Sequence, residues 1–390
     1  MNAPLKHVLF LITLFVLAVS TAQAADTWQY VGAAGFTVGE ADYTSLAIDS
    51  SGTPYVAYRD WTNGEKASVI KFNGTSWEQV GAAGFTACKI AHTSLALDGS
   101  GTPYVAYTDM DVLDMNVPND YKASVMKFNG TSWEQVGAVG FTPRWAGYAS
   151  LAIDSSGTPY ISYSDYKASV MKFNGTSWEQ VGAAGFSAGQ ASNTSLALDS
   201  SGTPYVAYTD GGNGWKASVM KFNGTSWEQV GAAGFSAGQA SNTSLALDSS
   251  GTPYVAYTDG GNGWKTSVMR LNGTNWEQVG TAGFSAGEAA YISLALDSSD
   301  TPYVAYPDGG NDWKTSVIRL NGTNWEQVGA AGFSAGWASY TSLAIDSSGT
   351  PYVAYSDGTN GGKASVMKLA PTPVLMPVYK LLLLKRMIIF

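Results

Sequence analysis

Trp215, Trp264 and Trp313 occupy one recurring position, each directly before a lysine and each shortly after an aspartate, Asp210, Asp259 or Asp308. A flat indole beside carboxylate and carboxamide groups is the equipment of a sugar site. The ring takes the apolar face of a pyranose, and the polar groups take its hydroxyls. Trp61 and Tyr121 lie in the matching segments of other copies, and Trp145 and Trp337 lie in the segments joining one copy to the next. These residues, with the three aspartates, are the candidate ligand-binding set. The competing reading is that the rings only cover the edge of a neighbouring unit.

The aspartates belong to a longer series that adds Asp60, Asp109, Asp165 and Asp357. A hard cation such as Ca²⁺ needs several oxygens converging on one point. Asp109, Asp111 and Asp114 form the densest local group, yet without the acidic and glycine spacing of an EF-hand loop. Aspartate in a Gly-rich turn is ordinarily a turn former. No metal site or cofactor is therefore assigned, and Ca²⁺ is the one ion left open. His92 and Cys88 are the only histidine and cysteine after residue 24. A histidine-based triad or a zinc site has almost nothing to draw on. Paired carboxylates are the remaining catalytic chemistry, and no catalytic residue can be named from the sequence.

What positions these residues is a repeat. Seven copies of a unit of about 49 residues run from Trp28 to Leu369. The copies starting at Trp178 and Trp227 differ only at Ala217/Thr266, Lys221/Arg270, Phe222/Leu271 and Ser226/Asn275. A period of this size signals a stacked or closed array of small supersecondary units. Within the fourth copy, Trp178–Gly182 is a short strand ended by glycine. Ser195–Asp199 alternates large and small residues, Pro204–Tyr208 is a strand with proline at its permitted first position, and Ala217–Phe222 is a third. Asn223-Gly224 predicts a type I′ hairpin with both residues at positive φ. The six Asn-Gly-Thr sequons are read as these hairpins. The fold expected is all-β, a seven-bladed β-propeller with four antiparallel strands per blade.

The ends of the array support closure. The last copy stops at Leu369 without the Trp-Glu-Gln-Val-Gly strand, and an extra strand of that kind stands at residues 28–32. That segment is expected to complete the last blade and leave no bare sheet edge. Residues 1–24 read as a secretory signal peptide, with an apolar run over Val8–Val19 and small residues before Ala25. The mature protein is then secreted, periplasmic or on the cell surface. Cys88, in a variable segment, reads as an incidental substitution or a link between chains. The domain spans 25–369, and the 370–390 tail has no assigned role. Neither apolar end segment is long enough to span a membrane once processed.

The net charge is −9, and Lys6, Lys380, Lys385 and Arg386 all fall outside 25–369, so the domain itself is more acidic still. It carries no basic cluster, which argues against nucleic acid as a partner.

The run Leu196-Ala-Leu-Asp-Ser-Ser-Gly-Thr-Pro-Tyr-Val-Ala-Tyr208 resembles the strand–turn–strand core of bacterial NHL-type propeller repeats. It departs in placing Tyr208 where that pattern has Asp. The Asn-Gly-Thr-Ser-Trp-x-x-Val-Gly segment resembles kelch, tectonin and fucose-lectin-like propellers. These families mostly bind proteins or sugars, with a minority of enzymes, so the resemblance implies recognition. The Asp-x-x-Gly turn differs by one residue from the sialidase Asp-box, and no sialidase chemistry is carried over.

In a propeller, loops joining first to second and third to fourth strands share one face. Here these are the nearly invariant Asp-Ser-Ser-Gly-Thr-Pro and Asn-Gly-Thr-Ser segments. The other face holds the blade-to-blade and second-to-third loops, where the copies differ; drift without selection is the competing explanation. Three functions stay open: an exported module recognising glycans or surface proteins through that variable face, a structural or adhesive multivalent repeat protein, or a carboxylate-based glycan hydrolase or lyase. Equivalent aromatic sites in several blades would favour the first, and one acid-lined central pocket would favour the last.

Overall fold

Seven four-stranded antiparallel sheets surround a common axis. The computed structural model describes residues 26–110 and 121–371. In blade 4 the strands run from the axis outward as Ala191–Leu198, Pro204–Asp210, Lys216–Phe222 and Trp227–Gln229. The inner strand alternates between burial and partial exposure, as its Ser-Leu-Ala-Leu pattern requires. The second strand is sandwiched between neighbouring blades on both faces. Val206, Ala207 and Tyr208 are accordingly all buried, and the sequence reads as a continuous apolar run there.

Two stitches recur at every blade boundary. The outer-strand tryptophan donates its indole N–H to a valine carbonyl of the preceding blade, as Trp227 Nε1 does to Val181 O at 2.8 Å. The same bond is made by Trp28, Trp77, Trp133, Trp178, Trp276 and Trp325. Each of these rings also lies against a phenylalanine of the preceding blade-to-blade loop, with centroids 4.0 to 4.4 Å apart. Nearer the axis, a serine hydroxyl accepts the leucine N–H of the next inner strand, as Ser195 Oγ does from Leu245 at 3.0 Å. This bond too recurs around the whole ring. The repeated Trp, Phe and Ser positions are thus the joints between blades.

The ring closes as the sequence predicts. Strand Thr27–Tyr30 pairs with Lys363–Ala370, with Trp28 opposite Leu369, and becomes the outer strand of blade 7. It ends before Gly32, whose φ of +71° turns the chain; a Cβ there would sit 2.9 Å from the Phe72 ring. The segment read as a signal peptide, the tail beyond Pro371, and Asp111 and Asp114 lie outside the described residues.

One local expectation fails. Of Asn223-Gly224 only the glycine has positive φ. The hairpin pairs Phe222 with Trp227 around a four-residue loop, and the Asn223 carboxamide oxygen accepts the N–H groups of Thr225 and Ser226. The side chain caps the turn from an ordinary backbone conformation, so the type I′ geometry is not needed.

Candidate functional site

Asp210, Asp259 and Asp308 end their second strands and are buried. Asp259 Oδ1 accepts the Gly261 N–H at 2.9 Å; its Oδ2 accepts from Asn262 Nδ2 at 2.8 Å and Ser267 Oγ at 2.7 Å. Asp210 and Asp308 bind in the same way. These carboxylates cap the short 3₁₀ turns Gly211–Asn213, Gly260–Asn262 and Gly309–Asn311 and point into the blade. They position the loop and present no oxygen to its outer surface. Replacing Asp259 by Ala strands three donors, and we expect a loss of about 2 kcal/mol in denaturant unfolding. Unchanged stability would show that the network does not hold the loop. Asp109 is likewise buried at the end of its strand, with the Cys88 thiol 2.5 Å from its Oδ1.

The candidate tryptophans behave differently. Trp61, Trp145, Trp215, Trp264, Trp313 and Trp337 are all exposed, one each in blades 1, 3, 4, 5, 6 and 7. Tyr121 belongs to the long loop of blade 2 and is only partly exposed. Among the described residues, every exposed large apolar side chain lies in the second-to-third loops, the blade-to-blade loops or the adjoining ends of the inner strands. The face of variable loops is also the aromatic face.

In blades 4 to 7 the indoles reach one place, over the first residue of the 3₁₀ turn, from two different sequence positions, and blades 1 and 3 carry theirs elsewhere on the same face. In blades 4, 5 and 6 the ring comes from the residue before the third strand and lies over the first residue of the 3₁₀ turn. A Cβ on Gly211, Gly260 or Gly309 would sit 3.3 to 3.4 Å from the ring of Trp215, Trp264 or Trp313. In blade 7 the turn also starts with glycine, Gly358, and a Cβ there would run into Trp337, which arrives from the blade-to-blade loop. In blade 1 the first turn residue is itself the tryptophan, Trp61, and the position before the third strand is Glu65. Trp145 of blade 3 packs over Gly147. Trp215, Trp264 and Trp313 moreover hold left-handed backbone, with φ of 60°, 58° and 58°. Blade 7 fills that position with Gly362, the residue that adopts it without strain.

A second ring of variable residues surrounds the axis on this same face. Between Ser192 and Ser195 the inner strand of blade 4 carries a bulge, so that Asn193 and Thr194 together face Tyr208. The bulge puts Asn193 at φ +50°, and its counterparts Tyr43, His92, Tyr148, Asn242, Tyr291 and Tyr340 all have φ between 44° and 54°. These seven, with the residue after each, line a cavity of about 240 Å³. No carboxylate lines it. Reasoning from the sequence missed this ring. The available signal was a variable column (Tyr, His, Tyr, Asn, Asn, Tyr, Tyr) standing two residues before the constant Ser-Leu-Ala of each copy. At blade 1 the axial and rim groups meet: the Arg59 guanidinium lies 5.0 Å from the Tyr43 centroid and 5.1 Å from that of Trp61. Asp42 binds both Arg59, at 2.6 Å, and Trp61 Nε1, at 2.8 Å.

Burial, reinforced by the nearby positive Arg59, pushes the His92 imidazole down to about 4, so it is neutral at pH 7. The sign for stability follows directly. The unfolded chain protonates His92 as pH falls through about 6.5, and the folded chain resists until about 4. Stability is therefore expected to decline by on the order of 2 kcal/mol across that window, discounted for partial exposure. His92→Asn should flatten the decline in urea titrations between pH 7 and 4; an identical slope would contradict this. The Asp-Ser-Ser-Gly turns lose their contribution at lower pH. Burial alone would raise Asp199, but bonds from Ser201 and Thr203 more than offset it and hold its carboxyl below the usual range.

Larger cavities, 420 to 640 Å³, lie between blades on the opposite face. They are lined by the Asp-Ser-Ser-Gly-Thr-Pro turn of one blade and a tyrosine and lysine of its neighbour. The sequence treats that face as scaffold, and its polar groups are largely committed. Asp98 Oδ1 accepts from Ser100 N, Ser100 Oγ and Thr102 N, and Lys127 pairs with Glu134 at 3.1 Å.

No protein-family model and no curated protein matches the chain. Solved structures do. A polysaccharide lyase PL25 ulvan lyase bound to a GlcA–Rha3S saccharide aligns with TM-score 0.54 at 14% identity, over 90% of this chain and 95% of its own. YCF48 bound to D1 peptide aligns with TM-score 0.54 at 12% identity, over 91% and 100%. The Aleuria aurantia lectin, in complex with Fucα1-6GlcNAc, aligns with TM-score 0.50 at 15% identity, over 78% and 100%. At these identities the likeness is one of fold. Among the described residues no helix is long and apolar enough to cross a membrane. By its fold the chain is a seven-bladed β-propeller, similar to propellers that carry saccharides and to one that carries a peptide.

Proposed function

We propose that the chain is an exported glycan-recognition module whose variable face binds sugars through its rim of indoles. The observation that carries this reading is the delivery of one exposed indole per blade, in six blades, from three sequence positions. A ring needed only to cover a blade edge has no reason to be replaced from elsewhere when its usual position holds Glu65 or Gly362. Holding tryptophan in left-handed backbone where glycine fits has a cost, and such strain gathers at functional sites. Among the described residues no ring contact links one rim indole to another. Isolated flat platforms beside polar groups suit repeated small ligands better than the contiguous apolar centre of a protein interface. Equivalent weak sites on one rigid body then act by avidity. The lyase and lectin among the structural neighbours carry saccharides, which agrees with the reading. The test is a glycan array probed with the full chain, with and without Ca²⁺. Binding to densely displayed glycans is expected, and silence on every glycan would overturn the proposal in favour of protein partners.

A further inference from the structure

The axial cavity differs from the rim in chemistry and in symmetry. Tyr291, Tyr340, Tyr43, His92 and Tyr148 form an unbroken arc across blades 6, 7, 1, 2 and 3, with neighbouring centroids 4.7 to 5.5 Å apart. Their planes are tilted by 46° to 53° from one to the next. That is close to the rotation relating adjacent blades of a seven-fold ring, so the rings repeat around the axis in one common orientation. Chords of this length on a seven-fold circle put the ring centres roughly 6 Å from the axis. Asn193 and Asn242 close the circle. Their side-chain amide nitrogens reach Thr209 and Thr258 only at 3.5 and 3.3 Å, and their side-chain oxygens accept no hydrogen bond from the described residues.

We infer that this axial cup is a second binding site, distinct from the rim, which takes one uncharged sugar ring. The apolar face of the sugar stands against the aromatic arc, and its hydroxyls meet the two carboxamides and the tyrosine hydroxyls. A cavity of about 240 Å³ is too small for an oligosaccharide and matches a single ring. Charge selects against the other classes an aromatic wall could hold. A quaternary ammonium would suit the ring faces. No carboxylate lines the cavity to balance its charge, however. An anion finds no free cation in the lining, because Arg59 is committed to Asp42 at 2.6 Å. Bulky residues held in left-handed backbone at the axis repeat the argument made for the rim: four tyrosines occupy a conformation that glycine adopts freely. The choice of a sugar rests on the glycan reading of this face, while the site itself stands on its own geometry.

The experiment is calorimetric titration of the full chain with a panel of neutral hexoses and deoxyhexoses, glucuronate and choline. One neutral sugar should bind with a stoichiometry of one per chain. Tyr340→Gly, which relieves the left-handed backbone and should keep the thermal midpoint, should weaken it by about tenfold or more. Asn193→Leu with Asn242→Leu removes the hydroxyl partners and leaves the arc, and should weaken it as well. Glycine at Trp215, Trp264 and Trp313 should leave it unchanged. A preference for choline or glucuronate, about six sites per chain, or indifference to both axial variants would each overturn the inference, as would no binding by any neutral sugar at millimolar concentration. Array binding without monosaccharide binding would remove the cup and leave the rim. Monosaccharide binding without array binding would do the reverse.

Discussion

Glycine at Trp215, Trp264 and Trp313 together lowers avidity for a glycan-coated surface by about 10²-fold or more, while any one of the three changes alone costs only a few-fold. The same triple variant keeps its thermal midpoint, or raises it. The three tryptophans sit in left-handed backbone, which costs a bulky L-residue roughly 1–2 kcal/mol and glycine nothing. Glycine returns part of that gain through the entropy of the unfolded chain. With 38% to 42% of each residue exposed, the rings have only part of an indole's surface to lose. If the indoles served instead to seal the blades, each loss would remove up to about 2 kcal/mol of apolar burial and the variant would melt early. Binding and stability thus move in opposite directions under one reading and together under the other.

Trp28→Ala is expected to cost about 3–5 kcal/mol, the range for deleting a buried tryptophan from a packed site. Trp28 donates to Val328 O at 2.8 Å and stacks on Phe333 with centroids 4.1 Å apart. The same contacts recur at the other blade boundaries, but here they fasten the strand that joins the two ends of the ring. Losing them frees Thr27–Tyr30 to leave blade 7 and bares the Lys363–Ala370 edge. Besides the fall in unfolding free energy, the variant should be cut early in its first strand and should self-associate through the bared edge. A variant as stable and monodisperse as the parent would show that the ring is held shut elsewhere.

Much of this architecture is legible in the repeat itself. The missing last strand and the extra first one imply closure, and the constant Trp, Phe and Ser columns are the joints between blades. The rim indoles were legible too, because Trp215, Trp264 and Trp313 recur in register. Their convergence with Trp337 was not, since that ring starts from a different position and meets theirs only in space. The partnering of Asp210, Asp259 and Asp308 was hidden for the same reason: Ser218, Ser267 and Ser316 lie eight residues on, across a strand pair. The axial ring escaped because a bulge breaks the two-residue period at Asn193 and its counterparts. Alternation alone cannot say which way such a residue points.

The central claim is tested most directly by labelling the chain with 5-fluorotryptophan and following its ¹⁹F spectrum as a glycan selected on the array is added. The chain has thirteen tryptophans. Six are exposed on the variable face, and the other seven are the packing rings of the outer strands. Resonances assigned through single Trp→Gly variants should shift for the exposed set, including Trp61, Trp215, Trp264, Trp313 and Trp337, while the seven packing rings stay in place. Shifts confined to the packing rings would move the site toward the grooves between blades on the opposite face, and a spectrum unmoved by a glycan that binds would take it off the rim.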